Sequence, residues 1–163
     1  MVAQATIVDV ARYILRHFKD AIPTRKLQKL AYFSQGWSLG LRGCPIFADD
    51  FEAWRYGPVS RRLFELHRGM YTISERELSG GDIAALSKAD RLVIDAVIQN
   101  YGALSGNQLS DLSHVPGGPW AMVRAARNLD AAAPSAQIIP QESIQTYFAD
   151  LLEVDSEPVR KRA

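Results

Sequence analysis

The chain has 163 residues, 47% of them apolar and 23% charged, a balance typical of one globular domain that buries about two-thirds of its unfolded surface. Its 19 lysines and arginines nearly balance its 18 aspartates and glutamates, so no overall positive field attracts nucleic acid. One cysteine excludes an intrachain disulfide, no Cys/His cluster has metal-ligand spacing, and no apolar run suits a membrane span or export signal, so we expect a cytoplasmic protein without metal or cofactor.

Two helices are predicted first along the chain. Thr6 is placed to cap the first helix, because Asp9 three residues later completes a capping box. After Pro23, Thr24 offers its hydroxyl as the N-cap of a longer second helix that ends before residue 43. Apolar residues occur on every side of this helix beyond its first turn, which predicts that it lies at the centre of the core.

A small β-hairpin is expected after the second helix. Residues 45–47 and 51–54 suit its two short strands, with loop composition between them. Gly57-Pro58 is expected to end the hairpin, and Pro58 to take the first position of a third helix, where its fixed φ is favourable. Residues 70–86 predict a mobile loop with at most one short turn near its end.

Capping signals mark the helices of the second half of the chain. Ser87 with Asp90, and Ser105 with Gln108, have the spacing of capping boxes and predict the starts of two helices. Pro119 predicts the start of another, since proline is tolerated in a first helical turn.

A last helix is expected over residues 141–152, which carry apolar residues at helical spacing. The sequence therefore predicts a mainly α fold: a single helical domain of about six or seven helices with a small β-hairpin after the second helix. This domain is assigned to residues 1–152. Residues 153–163 predict a disordered basic tail.

Three blocks of the sequence form a recognisable pattern. Residues 24–37 read TRKLQKLAYFSQGW, and residues 52–59 read EAWRYGPV. They resemble the Panacea domain of SocA-like and GepA-like phage-associated proteins, whose pattern includes K-L-Q-K-L-x-Y-F followed by E-A-W-x-x-G-P-V. A third block, with His114 and Pro119-Trp120, lies where that family carries its own His and Pro-Trp. The resemblance covers roughly residues 5–150.

The resemblance implies the function of an antitoxin. Such a protein belongs to a bacterial or prophage toxin-antitoxin system and neutralises a cognate protein toxin by direct protein-protein binding. For members that act as proteolytic adaptors, it also implies a ClpXP-like AAA+ protease as a second partner. It implies no enzyme activity and no membrane partner.

Two other classes of function stay as alternatives. The first is a DNA-binding transcriptional regulator of its own operon, but a helix-turn-helix over residues 105–128 would offer only Arg124 and Arg127 as basic residues on its second helix. The second is a hydrolase using His114, which titrates near neutral pH, although no nucleophile motif accompanies it. We expect instead a structural His114, hydrogen-bonded to a backbone group beside Trp120.

Nine motif residues are interpreted as structural. Most are apolar or turn-forming, and such residues pack in a core or bend the chain. They are Leu27, Gln28, Leu30, Tyr32, Gly57, Pro58, His114, Pro119 and Trp120.

Three cations crowd the first turns of the second helix, where the helix dipole is itself positive. They are Arg25, Lys26 and Lys29, and something is expected to compensate their charge. Acidic residues within positions 49–52 are one source, since surface charge pairs are common. An acidic partner is the other: Arg25 and Lys29, four residues apart, share a helix face and suit a pair of carboxylates on a bound toxin.

Trp54, Arg55 and Tyr56 are the second set of binding candidates. Either Trp54 and Tyr56 pack under the hairpin, as tryptophan usually does, or the three form a binding hot spot. Trp, Tyr and Arg dominate interfaces because they combine large rigid area with a polar group. An exposed hairpin edge would also pair with a partner strand.

Overall fold

Seven α-helices form most of this computed structural model, which describes residues 4–130 and 133–162, with side chains as far as residue 153. They are α1 (Ile7–Arg16), α2 (Thr24–Arg42), α3 (Arg61–His67), α4 (Lys88–Tyr101), α5 (Gly106–Ser113), α6 (Pro119–Ala126) and α7 (Gln141–Arg162). Strand β1 (Ile22–Pro23) pairs antiparallel with β4 (Thr72–Ile73), and β2 (Glu52–Trp54) with β3 (Gly57–Val59). The predicted fold class, with a small hairpin after the second helix, is confirmed.

Local signals start α1, α4, α5 and α6 where the sequence predicts. Thr6 with Asp9 caps α1, and Ser87 with Asp90 caps α4. The box at the start of α5 is also present, and Pro119 occupies the first turn of α6. In each box a side-chain oxygen accepts a backbone N–H that would otherwise have no partner, so these boundaries follow from local sequence.

Helix α2 is the central element of the fold. It contacts α1, α4, α5 and α7, and Leu27 and Leu30 are fully buried. Gly36 and Gly40 allow α7 to approach closely, because a Cβ atom at either position would collide with Phe148. The central position predicted from its all-round apolar residues is confirmed.

The pairing within the hairpin was predicted wrongly. Strand β2 pairs with β3, which follows it, and not with residues 45–47, which precede it, so Gly57 and Pro58 lie inside the hairpin instead of ending it. Helix α3 begins at Arg61, after Ser60 caps it by accepting the N–H of Leu63. Gly57 resembles a terminator in sequence because glycine usually is one, but here it adopts a φ of +117° within a strand.

Two further details differ from the prediction. Thr24 is the first residue of α2 and not its N-cap, since its hydroxyl donates to the carbonyl oxygens of Met70 and Tyr71. Residues 70–86 hold β4 and two short 3₁₀ turns, Glu75–Glu77 and Ile83–Ala85, so they are more regular than a loop. The second of these turns lies near the predicted position.

The last helix is longer than predicted. The backbone of α7 continues as a helix to Arg162, well beyond residue 152. The division of the chain into a domain over residues 1–152 and a disordered basic tail over 153–163 stays a prediction. Within the described part of the chain, no helix has the length and apolar character needed to cross a bilayer.

Candidate functional site

The first two sequence blocks meet at the hairpin through two buried polar side chains of α2. Lys29 donates its Nζ to the carbonyl oxygen of Pro58 at 3.0 Å. The amide of Gln28 binds the backbone of Ser60 in both directions, accepting its N–H at 2.9 Å and donating to its carbonyl oxygen at 3.1 Å. Both side chains are at most 2% exposed, so these contacts are shielded from water. They fasten strand β3 to α2.

The third block holds the other strand and the turn. Trp120 donates its indole N–H to the carbonyl oxygen of Trp54 at 2.6 Å. The ring of His114 stacks on Trp120 with centroids 3.9 Å apart, and among the described residues its buried Nε2 has no hydrogen-bond partner. Burial is the main cause that lowers the pKa of His114, ahead of the nearby Lys29. This is the packing position expected of His114.

Arg124 is a structural residue that sequence reasoning missed. It was considered only as a basic residue of a recognition helix, but it is buried. Its guanidinium donates to the carbonyl oxygen of Ala53 at 2.9 Å and to those of Asp130 and Ala133. No local signal separates it from an exposed arginine, because its partners are backbone carbonyls distant in sequence or in a loop.

Glycine at position 57 is a packing requirement as well as a conformational one. A Cβ atom there would lie 2.6 Å from Cε of Lys29 and 2.9 Å from Oγ of Ser113. The backbone φ of +117° is also one that other residues rarely adopt. Gly57 therefore lets the lysine side chain pass beneath the hairpin.

The interpretation of Arg25 and Lys29 as a shared surface pair is wrong. Lys29 is 1% exposed, and burial, followed by the charge of Arg25, lowers its pKa to about 7. Compensation of Lys29 by an acidic residue of the hairpin is not found either. The Glu52 carboxylate accepts from Arg61 and from the indole of Trp54.

Lys26 and Arg25 lie nearer the surface, and both have partners within the chain. Lys26 donates its Nζ to the carbonyl oxygen of Gly102 at 2.6 Å, at the end of α4, and burial lowers its pKa. Arg25 donates to the side-chain oxygen of Asn107 at 2.7 Å, and its Cζ lies 4.7 Å from the ring centroid of Tyr56. Arg25 thus links the start of α2 to the hairpin turn.

The hairpin turn is the exposed part of the second block. Arg55 is exposed, and Tyr56 is 52% exposed, with the guanidiniums of Arg25 and Arg55 4.7 and 5.3 Å from its ring centroid. Trp54 is half-buried, with its ring in edge contact with Phe64 at 4.9 Å. Trp54 therefore packs against the protein, whereas Arg55 and Tyr56 are presented to solvent.

The hairpin has no free edge for strand addition at β2. Ala53 donates its N–H to the carbonyl oxygen of Gln137, and Ile139 donates to that of Phe51, at 2.7 and 2.8 Å. All three residues of β3 are buried. The edge-exposed hairpin expected from the sequence is therefore wrong, because the segment before α7 covers β2.

Two neighbouring cavities flank the start of α2. A groove of about 390 Å³ lies between α2, the hairpin and α3, and a cavity of about 410 Å³ lies beside Tyr71 and the start of α5. Thr24 and Arg25 line both. Among the described residues, no aspartate or glutamate lines either one. We call the combined surface the α2 face. Its outward residues are Arg25, Arg55, Tyr56, Tyr71 and Asn107.

Tyr71, like Asn107, is a member of this face that could not be recognised as a binding residue from the sequence. It is 85% exposed, the highest value among the large apolar side chains described as exposed. Its neighbour Met70 is also exposed. The signal was an aromatic residue in a segment with little periodicity, which reads as ordinary loop composition until the β1–β4 pairing brings it beside α2.

The fold and this face define a helical domain with an arginine- and tyrosine-rich surface supported by buried hydrogen bonds. The chain belongs to the family described as antitoxin SocA-like, Panacea domain, which matches residues 27–121, more than half of the chain. It is similar to Antitoxin SocA of Caulobacter vibrioides (strain NA1000 / CB15N), with 36% identity over 107 residues. That similarity covers 60% of this chain and 57% of the relative, so less than two-thirds of the relative is matched. No solved structure matches the chain significantly.

Proposed function

We propose that this protein is an antitoxin that neutralises a cognate toxin by direct protein-protein binding, with the α2 face as the contact surface. Membership of the SocA-like antitoxin family supports the function. The chemistry of the face supports the location, because Arg and Tyr are enriched among the residues that contribute most to binding. The protein would act without catalysis and in the cytoplasm beside its toxin.

The observation that carries the proposal is the rigid presentation of Arg55 and Tyr56. The carbonyl oxygens on either side of them, those of Trp54 and Pro58, are held by buried donors from α6 and α2. An exposed pair on a fixed backbone loses little conformational entropy when it binds. This arrangement suits a binding hot spot better than a mobile loop would.

DNA binding is not favoured as a second function. Arg124, one of the two basic residues that a recognition helix over α6 would use, is buried against backbone carbonyls. A recognition helix needs exposed polar residues along the side that faces the groove.

Co-expression with the product of the neighbouring gene tests the proposal. We expect growth arrest by that product to be relieved and the two proteins to co-purify. The proposal would be contradicted if the protein did not relieve the growth arrest and did not co-purify with that product. The half-life of the toxin, followed in cells with and without a AAA+ protease of the ClpXP type, separates the two routes. If this protein masks the toxin, its presence leaves the half-life of the toxin unchanged. If it is an adaptor, its presence shortens that half-life, but only in cells that contain the protease.

A further inference from the structure

The groove between the start of α2, the hairpin and α3 has a one-sided charge. Its lining contains the basic side chains of Arg25, Lys29, Arg55 and His67, and no aspartate or glutamate among the described residues. Its walls also include the apolar side chains of Trp54, Val59 and Phe64. We propose that this groove receives a carboxylate side chain, carried on an otherwise apolar segment of the bound protein. This inference rests on the proposed antitoxin function and names the chemistry of the partner segment.

Carboxylates close to the groove are already engaged elsewhere. Glu52 accepts from Arg61 at 3.1 Å and from the indole of Trp54 at 2.8 Å. Glu65 accepts from Arg68 at 2.7 Å. The chain's own acidic residues on these elements therefore leave the groove's excess of positive charge in place. A partner carboxylate would meet complementary charge.

The two arginines of the groove are suited to direct contact. Arg55 is exposed, with its guanidinium near the Tyr56 ring. Among the described residues, Arg25 makes one side-chain hydrogen bond, to Asn107, through Nη1. Because a guanidinium carries five N–H donors in a planar fork, both arginines retain donors that match the geometry of a carboxylate. The aromatic walls would contact the apolar neighbours of that carboxylate.

Lys29 gives the groove a property that ordinary surface sites lack. Its buried ammonium has three N–H donors, and one hydrogen bond is found for them among the described residues, to the carbonyl oxygen of Pro58. Burial lowers its pKa to about 7, and docking of a negative charge nearby would raise that pKa again. Binding is therefore expected to take up a proton above about pH 7, and affinity to fall as the pH rises.

The titratable groups around Lys29 are not expected to reverse this pH dependence of the affinity. Those on the packed elements are mostly cationic or neutral, with Asp111 the acidic exception near His114. They are Arg25 on α2, Arg55 and Tyr56 on the hairpin, His67 on α3, His114 and Asp111 at the end of α5, and Arg124 on α6.

Selection of short random peptides displayed on phage, with the folded full-length chain as target, tests the inference without the toxin. Arg55→Glu is the counter-target, and Lys88→Glu at the start of α4 is the matched control. Arg25→Glu provides a second reversal on the other side of the groove. We expect enriched peptides to carry Asp or Glu beside aromatic or aliphatic residues. Their affinity should fall by about tenfold or more on either reversal and stay unchanged in the control.

Three outcomes would overturn the inference: enriched peptides without an excess of acidic residues, binding to Arg55→Glu and Arg25→Glu as tight as to the wild type, or no enrichment at all. Circular dichroism and melting temperature verify that each variant is folded. A synthetic enriched peptide should also bind more tightly at about pH 6.5 than at about pH 8.5, and Lys29→Met should remove that difference. If acidic peptides bind as expected but the neighbouring gene's product does not bind, the antitoxin proposal is refuted and the inference about the groove is not.

Discussion

Lys29 and Pro58, 29 residues apart in the chain, are joined by a buried hydrogen bond of 3.0 Å from the ammonium to the carbonyl oxygen. This contact explains why a lysine and a Gly-Pro pair occur together in the two sequence blocks. The pattern E-A-W-x-x-G-P-V leaves positions 55 and 56 open, and these are the exposed residues of the turn. The motif residues therefore form the buried contacts that hold the hairpin in place, and the two positions that the motif leaves variable lie exposed in its turn.

Gly57→Ala should destabilise the protein more than the same substitution at another glycine with a positive φ, because it adds a steric collision to the backbone strain. Gly69 also has a positive φ, of +81°, but a Cβ atom there would meet nothing within 4 Å. The added methyl at position 57 would instead collide with Lys29. We expect Gly57→Ala to lose about 1–3 kcal/mol more free energy of unfolding than Gly69→Ala. Urea denaturation measures both, and equal losses would mean that the hairpin moves away from α2 at little cost.

The stability of the protein should rise between about pH 7 and pH 9 because of Lys29. Its pKa is about 7 in the folded state and about 10.4 when unfolded, so the unfolded chain binds more protons in this window. The free energy of unfolding then increases with pH, by up to about 1.4 kcal/mol per unit. His67 and His114 have lowered pKa values, so their contributions lie below this window.

Lys29→Met serves as the comparison, because methionine has similar length and no charge. Urea denaturation at both ends of the window should show a smaller rise in the variant than in the wild type. Contributions of other groups cancel in this difference. An identical rise in the two proteins would show that Lys29 stays charged in the fold.

The starts of α1, α4 and α5 could be predicted from the sequence because a full capping box marks each of them, whereas the single cap of α3, Ser60, was missed because it follows Gly57-Pro58. Thr6, Ser87 and Ser105 bind backbone groups within three residues, so their spacing contains the whole interaction. The site could be predicted only in part, because its arrangement depends on contacts between distant segments. Lys29 resembles a surface cation until the hairpin covers it, and Tyr71 resembles a loop residue until β4 pairs with β1.

Substitutions in the first turns of α2 should lower the stability of the protein by different amounts at buried and at partly exposed positions. Leu27→Ala and Leu30→Ala remove fully buried methyl groups and should each cost about 2–5 kcal/mol of stability. Lys26→Ala loses one hydrogen bond, to the carbonyl oxygen of Gly102, and should stay within about 1 kcal/mol of the wild type. Thermal unfolding checks the three variants, and a similar loss in all of them would give Lys26 a structural role.

Arg55→Ala tests the binding role of the α2 face. Arg55 is exposed, and its side-chain contact in the described structure is with the Tyr56 ring, so its truncation should leave the circular dichroism spectrum and melting temperature unchanged. Lys88→Ala is the control, since Lys88 begins α4 and the neighbouring Asp90 pairs with Arg42 at the far end of α2. Isothermal titration calorimetry with the neighbouring gene's product measures the affinity of each.

Affinity for that toxin is the most direct test of whether the α2 face is the contact surface. Arg55→Ala should weaken binding by about tenfold or more, which corresponds to about 1.4 kcal/mol, whereas Lys88→Ala should bind as the wild type does. Wild-type affinity in a folded Arg55→Ala protein would contradict the assignment and place the toxin on another surface.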